Sequence, residues 1–188
     1  MIRPGSILVL ISALALSACG AGRAVSNAGS GLFEARQGAC PTVAILADAE
    51  ELTDFYGQGR DVPDVHYRAS VTDVSTSCDY GRAGGQRFVF SRVRLDFAAE
   101  LGSAARPEPV DIPYFVAVVD SITDEILIKE VYTIHAPFDG GRRAVTIEDS
   151  IDRIAIPVET IADGGLFEII VGLELTVAQL DYNRRDEF

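Results

Sequence analysis

The chain has 188 residues, with 28 acidic side chains against 16 basic ones and a net charge of −12; it holds three cysteines, two histidines and no tryptophan. A surface this acidic repels phosphate backbones and anionic headgroups. Nucleic-acid recognition needs a basic stripe, and the chain has none.

Residues 1–18 follow the three-part layout of a secretory signal: Arg3 supplies the positive charge, residues 7–16 are an apolar run with Ser12 as its one polar residue, and small residues follow. About 20 apolar residues are needed to span a bilayer, so a permanent membrane helix is the weaker reading. In Leu16-Ser17-Ala18-Cys19, bulky Leu16 stands at −3 to Cys19, whereas ordinary signal peptidase takes small residues at −3 and −1. This is the pattern of a bacterial lipobox, and the segment resembles a lipoprotein signal. The resemblance implies cleavage before Cys19 and a thioether from its sulfur to diacylglycerol. Two or more acyl chains anchor a protein stably, at about 0.8 kcal/mol per buried CH₂. Gly20 rather than aspartate follows the cysteine, which resembles lipoproteins sorted to the outer membrane. The expected place is the cell envelope, on the outer membrane and facing the periplasm.

Losing the leader removes Arg3 and no acid, leaving 15 basic residues against 28 acids, a net charge of −13. Residues 19–38 are rich in Gly, Ala and Ser and read as a lipid-anchored tether with a reach of roughly 20–25 Å. The alternative is a first strand at residues 32–35.

Residues 39–188 read as one domain of strands separated by turn signals. Residues 49–55 are ambiguous between helix and strand. Residues 65–71 alternate apolar and polar. The register shifts near Asp73, after which Val74, Thr76, Cys78 and Tyr80 share a face, as a β-bulge would produce. A turn over residues 81–85 leads to residues 87–97, with Val89, Val93, Leu95 and Phe97 on one side. Beyond a Pro-rich link at 106–109, residues 112–119 are apolar on both faces, the mark of a central strand. Residues 121–125 close a hairpin into 126–134, where Ile126, Ile128, Tyr132 and Ile134 are expected on one face. A turn at residues 139–142 precedes two short strands within 145–156, broken near 149–152. Phe167, Ile169, Val171, Leu173 and Leu175 form a stripe. Thr176 and Gln179 have the spacing of a capping box and predict a short helix through Asp181, with Leu180 and Tyr182 packing on the domain. Strands at this spacing predict an all-β, antiparallel sandwich of immunoglobulin or fibronectin-III type with a short C-terminal helix. A closed barrel is the alternative.

Cys40 and Cys78 lack a CxxC, and two sulfurs are too few for a structural zinc site. In an oxidising compartment they are expected to form a disulfide.

Tyr114-Phe115-Val116-Ala117-Val118-Val119-Asp120, Ile128-Lys129-Glu130-Val131 and Ile170-Val171-Gly172-Leu173-Glu174-Leu175-Thr176 are three segments to set beside Gln179-Leu180-Asp181-Tyr182-Asn183-Arg184. Together they resemble a family of uncharacterised alphaproteobacterial lipoproteins over most of residues 40–184. The resemblance implies envelope placement and carries over no catalytic residue.

For chemistry, His66 and His135 read as half-exposed strand residues, and no GxSxG elbow occurs. Acids gather at Asp48, Glu50, Glu51 and Asp54, at Asp120, Asp124 and Glu125, and at Glu148, Asp149 and Asp152. Paired carboxylates could hydrolyse glycans, and oxygen ligands could hold calcium, for which Asp120, Asp124 and Glu125 are the candidates, although the 12-position loop motif is absent. The glycines at 81–85 and 140–141 sit between strands and read as hairpin turns. Arg142-Arg143 and Arg184-Arg185 could dock an acidic partner. The expected function is a non-enzymatic binding or assembly module for another envelope component, with an envelope protein as the expected partner and no cofactor. Tyr182, Asn183 and Arg184 are candidates for the contact surface. A glycan hydrolase and a calcium- or small-ligand-binding module are the alternatives.

Overall fold

The computed structural model describes residues 38–186 except 58 and 104. The leader at 1–18, Cys19, the tether up to residue 37 and the alternative strand at 32–35 lie outside the described residues.

Among the described residues, eight strands make two four-stranded sheets. One has the order β1 (Thr42–Ile45), β8 (Phe167–Leu173), β5 (Val110–Asp120) and β6 (Ile126–Ala136). The other has the order β2 (Glu51–Phe55), β3 (Val65–Ala83), β4 (Gln86–Leu101) and β7 (Ala144–Val158). The helix α1 (Val177–Asp186) closes the chain. The all-β sandwich expected from the strand spacing is present, and it is not a closed barrel. It is not wholly antiparallel, because β1 runs parallel to β8. Strands distant in sequence can pair in parallel because the chain between them supplies the crossover.

One core lies between the sheets. Val71, Val89, Val93, Leu95 and Phe97 of the second sheet meet Ile112, Tyr114, Val118, Ile169, Val171 and Leu173 of the first. The Phe97 and Tyr114 rings stand 5.0 Å apart across it. Each such side chain contributes roughly 1.5–3 kcal/mol when fully buried. β5 is buried on both faces, as its continuous apolar run predicts.

The bulge expected near Asp73 is there: pairing with β4 skips Thr72 between Val71 and Asp73, and Val74, Thr76, Cys78 and Tyr80 then hold one half-buried face. Cys40 and Cys78 form the expected disulfide. The β3–β4 turn is tighter than residues 81–85; it consists of Gly84 and Gly85, both at positive φ (58° and 86°), the backbone that a two-residue hairpin of matching twist demands.

Four boundaries differ from expectation. Residues 49–55 resolve into a 3₁₀ turn (Ala47–Ala49) and β2. The two short strands expected within 145–156 are the single strand β7, whose pairing with β4 shifts between Ser91 and Val93; the polar residues near 149–152 mark an irregularity on an edge strand, not a break. Ile126 does not share the face of Ile128, Tyr132 and Ile134. Pairing passes from Val118–Ile128 to Val119–Ile126, so Leu127 is an extra residue and Ile126 turns outward with Val119. Finally, the helix continues past Asp181 to Asp186. Its capping box is formed, with the Thr176 amide donating to Gln179 Oε1 at 2.8 Å and the Gln179 amide to Thr176 Oγ1 at 3.3 Å.

Candidate functional site

The second apolar face of β5 needs a cover, and the chain covers it only in part. Phe115 and Ala117 point away from the sandwich core and, with Ala49, form a small separate cluster beside Ile170 and Leu175. The Leu46 amide donates to Val171 O at 2.8 Å, which turns the chain after β1 across this face. Gly172 lets the 3₁₀ turn approach: a Cβ there would stand 2.9 Å from both Ala49 Cβ and the Phe115 ring. Leu180 on α1 completes that side, and the bulge at Leu127 puts Ile126 on the opposite side.

What remains open is a groove of about 620 Å³, within the usual range for ligand sites. Its walls include two large apolar side chains exposed to solvent, Leu46 at 42% and Ile126 at 60%. Its rim is charged. Lys129 Nζ lies 2.9 Å from Glu174 Oε2 and 4.5 Å from the centre of the Phe115 ring. Arg184 reaches Asp48 Oδ2 through Nη2 at 2.6 Å and Nε at 2.9 Å. Such exposed pairs add about 0–1 kcal/mol each, so they shape the rim more than they stabilise it.

Two of the six sequence candidates border this groove. Arg184 and Asp124 both line it. Tyr182, Asn183 and Arg184 also bind their own domain: Tyr182 packs edge-on against Phe55 with ring centres 5.0 Å apart, and Asn183 Nδ2 donates to Glu51 O at 2.7 Å and Asp48 O at 3.3 Å. Asp120 caps the β5–β6 turn, its Oδ1 accepting the amides of Ile122 at 2.8 Å and Thr123 at 3.0 Å; these bonds hold its carboxyl below the usual range. Asp124 sits at φ 57°, and its amide donates to Asp120 O. Among the described residues no three or more His, Cys, Asp or Glu side chains converge as metal ligands would.

Several of the remaining acids and bases are engaged within the domain. Asp149 accepts the Tyr114 hydroxyl at 2.7 Å from the facing sheet, and Asp152 accepts Arg92 Nε at 3.0 Å. Burial, then the Asp149 carboxylate, push the Tyr114 hydroxyl far above its ordinary pKa. Burial, then Glu130, push Tyr132 up to about 12. Arg143 donates to the carbonyls of Leu101, Gly102 and Ala105; Arg142 pairs with Asp139; and Arg185 Nε donates to Asp181 O.

Two histidine–aspartate pairs escaped sequence reading, because they join neighbouring strands 12 and 24 residues apart. His66 Nδ1 lies 2.9 Å from Asp54 Oδ2, and His135 Nδ1 lies 2.9 Å from Asp111 Oδ1. Neither has a serine or thiol hydrogen-bonded to it among the described residues, so neither forms a nucleophilic triad there. The groove also escaped notice. Its signal was the outward set Phe115, Ala117 and Val119 on a strand apolar on both faces.

Compared with protein-family models, with curated proteins and with solved structures, the chain matches none.

Proposed function

We propose that this chain is a lipid-anchored cell-envelope protein, held through Cys19 on the outer membrane facing the periplasm, that works without catalysis as a binding or assembly module for another envelope protein. The groove carries this reading: a recessed apolar floor, two exposed apolar side chains in its walls and a charged rim make up the anatomy of a recognition surface. The lipobox pattern at Leu16-Ser17-Ala18-Cys19 supports the anchor, and the Cys40–Cys78 disulfide is in keeping with an oxidising compartment. The resemblance to alphaproteobacterial lipoproteins belongs to the same proposal.

The finer immunoglobulin-like reading of the sandwich is supported by its two facing sheets and by a first strand lying parallel to the last. Its strand order differs from the ABED and CFG sheets of that fold, because β2, β3 and β4 are consecutive neighbours.

The hydrolase alternative needs two carboxylates facing each other across a cleft. Asp120 caps a turn, and Asp149 and Asp152 accept bonds from Tyr114 and Arg92, so the geometry favours it less.

A photo-crosslinking residue placed at Ile126, with a control at Thr146 on the other sheet, tests the module in cells. The expected result is one recurring envelope protein captured from Ile126 and not from Thr146. Cys19→Ser is expected to release the protein from the membrane fraction. Capture from both positions alike, or full retention of the serine variant, would remove the reading.

A further inference from the structure

The groove is uneven in charge along its length. At the Phe115 end its rim charges cancel, Lys129 against Glu174 and Arg184 against Asp48. At the Val119 end they do not. Asp124 has no side-chain partner among the described residues. Glu168 lies in register with Val119 and, since Ile169 is fully buried in the core, faces outward beside it. Glu125 adjoins Asp124 in the same turn. Among the described residues no cation pairs with these acids, and the whole chain is strongly acidic.

Resting on the reading of the groove as the recognition surface, we infer that its occupant is a peptide segment of a protein partner, with an apolar face and a lysine or arginine at one end. The apolar residues lie between Leu46 and Ile126, above the recessed Phe115, and the cation lies over Asp124 and Glu168. The dimensions agree. From Phe115 to Val119 a strand advances about 13 Å, enough to accommodate the roughly 10 Å from i to i+7 of an amphipathic helix. Charge excludes the nearest competitor. A fatty-acyl carboxylate or an anionic lipid headgroup would meet uncompensated acids at that end, whereas a cation there complements them.

The test uses the mature lipidated protein, beginning at Cys19, in neutral lipid vesicles, with protein-free vesicles subtracted. The probe is a short fluorescein-labelled peptide with leucines at i, i+3, i+4 and i+7 and lysines at one end, together with a twin carrying glutamates there. The lysine peptide is expected to bind about tenfold more tightly than its twin. Asp124→Asn with Glu168→Gln, which keeps a residue tolerant of positive φ at 124, is expected to erase that preference. Leu46→Asn with Ile126→Asn, two exposed positions that leave the core intact, is expected to weaken both peptides about tenfold. Equal binding of the two peptides, still lost in the Leu46/Ile126 variant, would overturn the cationic end and leave the groove standing as a binding site. Binding indifferent to the Leu46/Ile126 variant, or seen only with an anionic lipid probe, would overturn both.

Discussion

Ser91 is the one polar side chain in the core with an unanswered hydrogen bond among the described residues: it is 0% exposed and its Oγ has no partner. Alternation puts it between Val89 and Val93 on the inward face of β4, although a search for apolar stripes passes over it. A buried hydroxyl without a partner costs about 1–3 kcal/mol. Ser91→Ala is therefore expected to stabilise the protein by about 1 kcal/mol, raising its melting temperature by about 2–4 °C in a thermal unfolding scan. Tyr114 is the opposite case, a buried hydroxyl whose bond to Asp149 ties the two sheets together. Its pKa is raised, as are those of Tyr67 and Tyr132, each to about 12, and burial is the leading cause in all three. A raised tyrosine pKa favours the neutral phenol in the folded state. The resulting stability is fully present below the unfolded value near 10 and is lost as pH climbs from there through the folded value. Asp120 and Asp163 have depressed values, from hydrogen bonds to the Ile122 amide and to Thr160 respectively, so their contribution is lost as pH falls below about 4. Urea unfolding across pH is expected to show a plateau between these limits. Tyr114→Phe is expected to cost about 1–2 kcal/mol at neutral pH and to flatten the alkaline fall.

Strands that alternate, and turns made of Gly, Asp and Pro, were legible because one side chain in two reports its face. The bulge at Thr72 was legible for the same reason, since the buried set changes parity there. The bulge at Leu127 was not. Ile126, Leu127 and Ile128 are all apolar, so parity is silent where the shift occurs. The groove depends on that shift, which is why its wall could not be read from the chain. The capping box foretold where α1 begins but not how far it runs, because its far end is held by contacts distant in sequence. Asn183 donates to the backbone of Asp48 and Glu51, well over a hundred positions away. Two hydrogen bonds of roughly 0.5–1.5 kcal/mol each set the expected cost of Asn183→Ala at about 1–2 kcal/mol. Amide exchange should then quicken over Val177–Asp186 while β4 keeps its protection; unchanged exchange in the helix would show that Tyr182 and Arg184 suffice to hold it.

The sandwich as a whole joins long paired strands to a lightly held margin, and the margin leads into one wall of the groove. β3, β4 and β7 have 19, 16 and 15 residues; β1 has 4 and lies at a sheet edge. What holds β1 is its parallel pairing with β8, the Ala39 amide on Ile161 O, the Tyr80 hydroxyl on Ala39 O, and the disulfide to β3. Leu46 and the 3₁₀ turn that roofs Phe115 follow β1 directly, so whatever loosens β1 opens the groove. A cross-link over 38 residues contributes about 3–4 kcal/mol by restricting the unfolded chain, a large share of a typical domain stability of about 5–15 kcal/mol. Cys40→Ser with Cys78→Ser is expected to lower unfolding stability by about that amount and to weaken the lysine peptide more than it weakens the long strands. Exchange should rise first at Val43, Ala44 and Ile45 and then at Leu46, with Val93 and Leu95 protected until global unfolding. If exchange rose evenly through β1 and β4, the disulfide would be acting on the unfolded chain alone, and the groove wall would not depend on it.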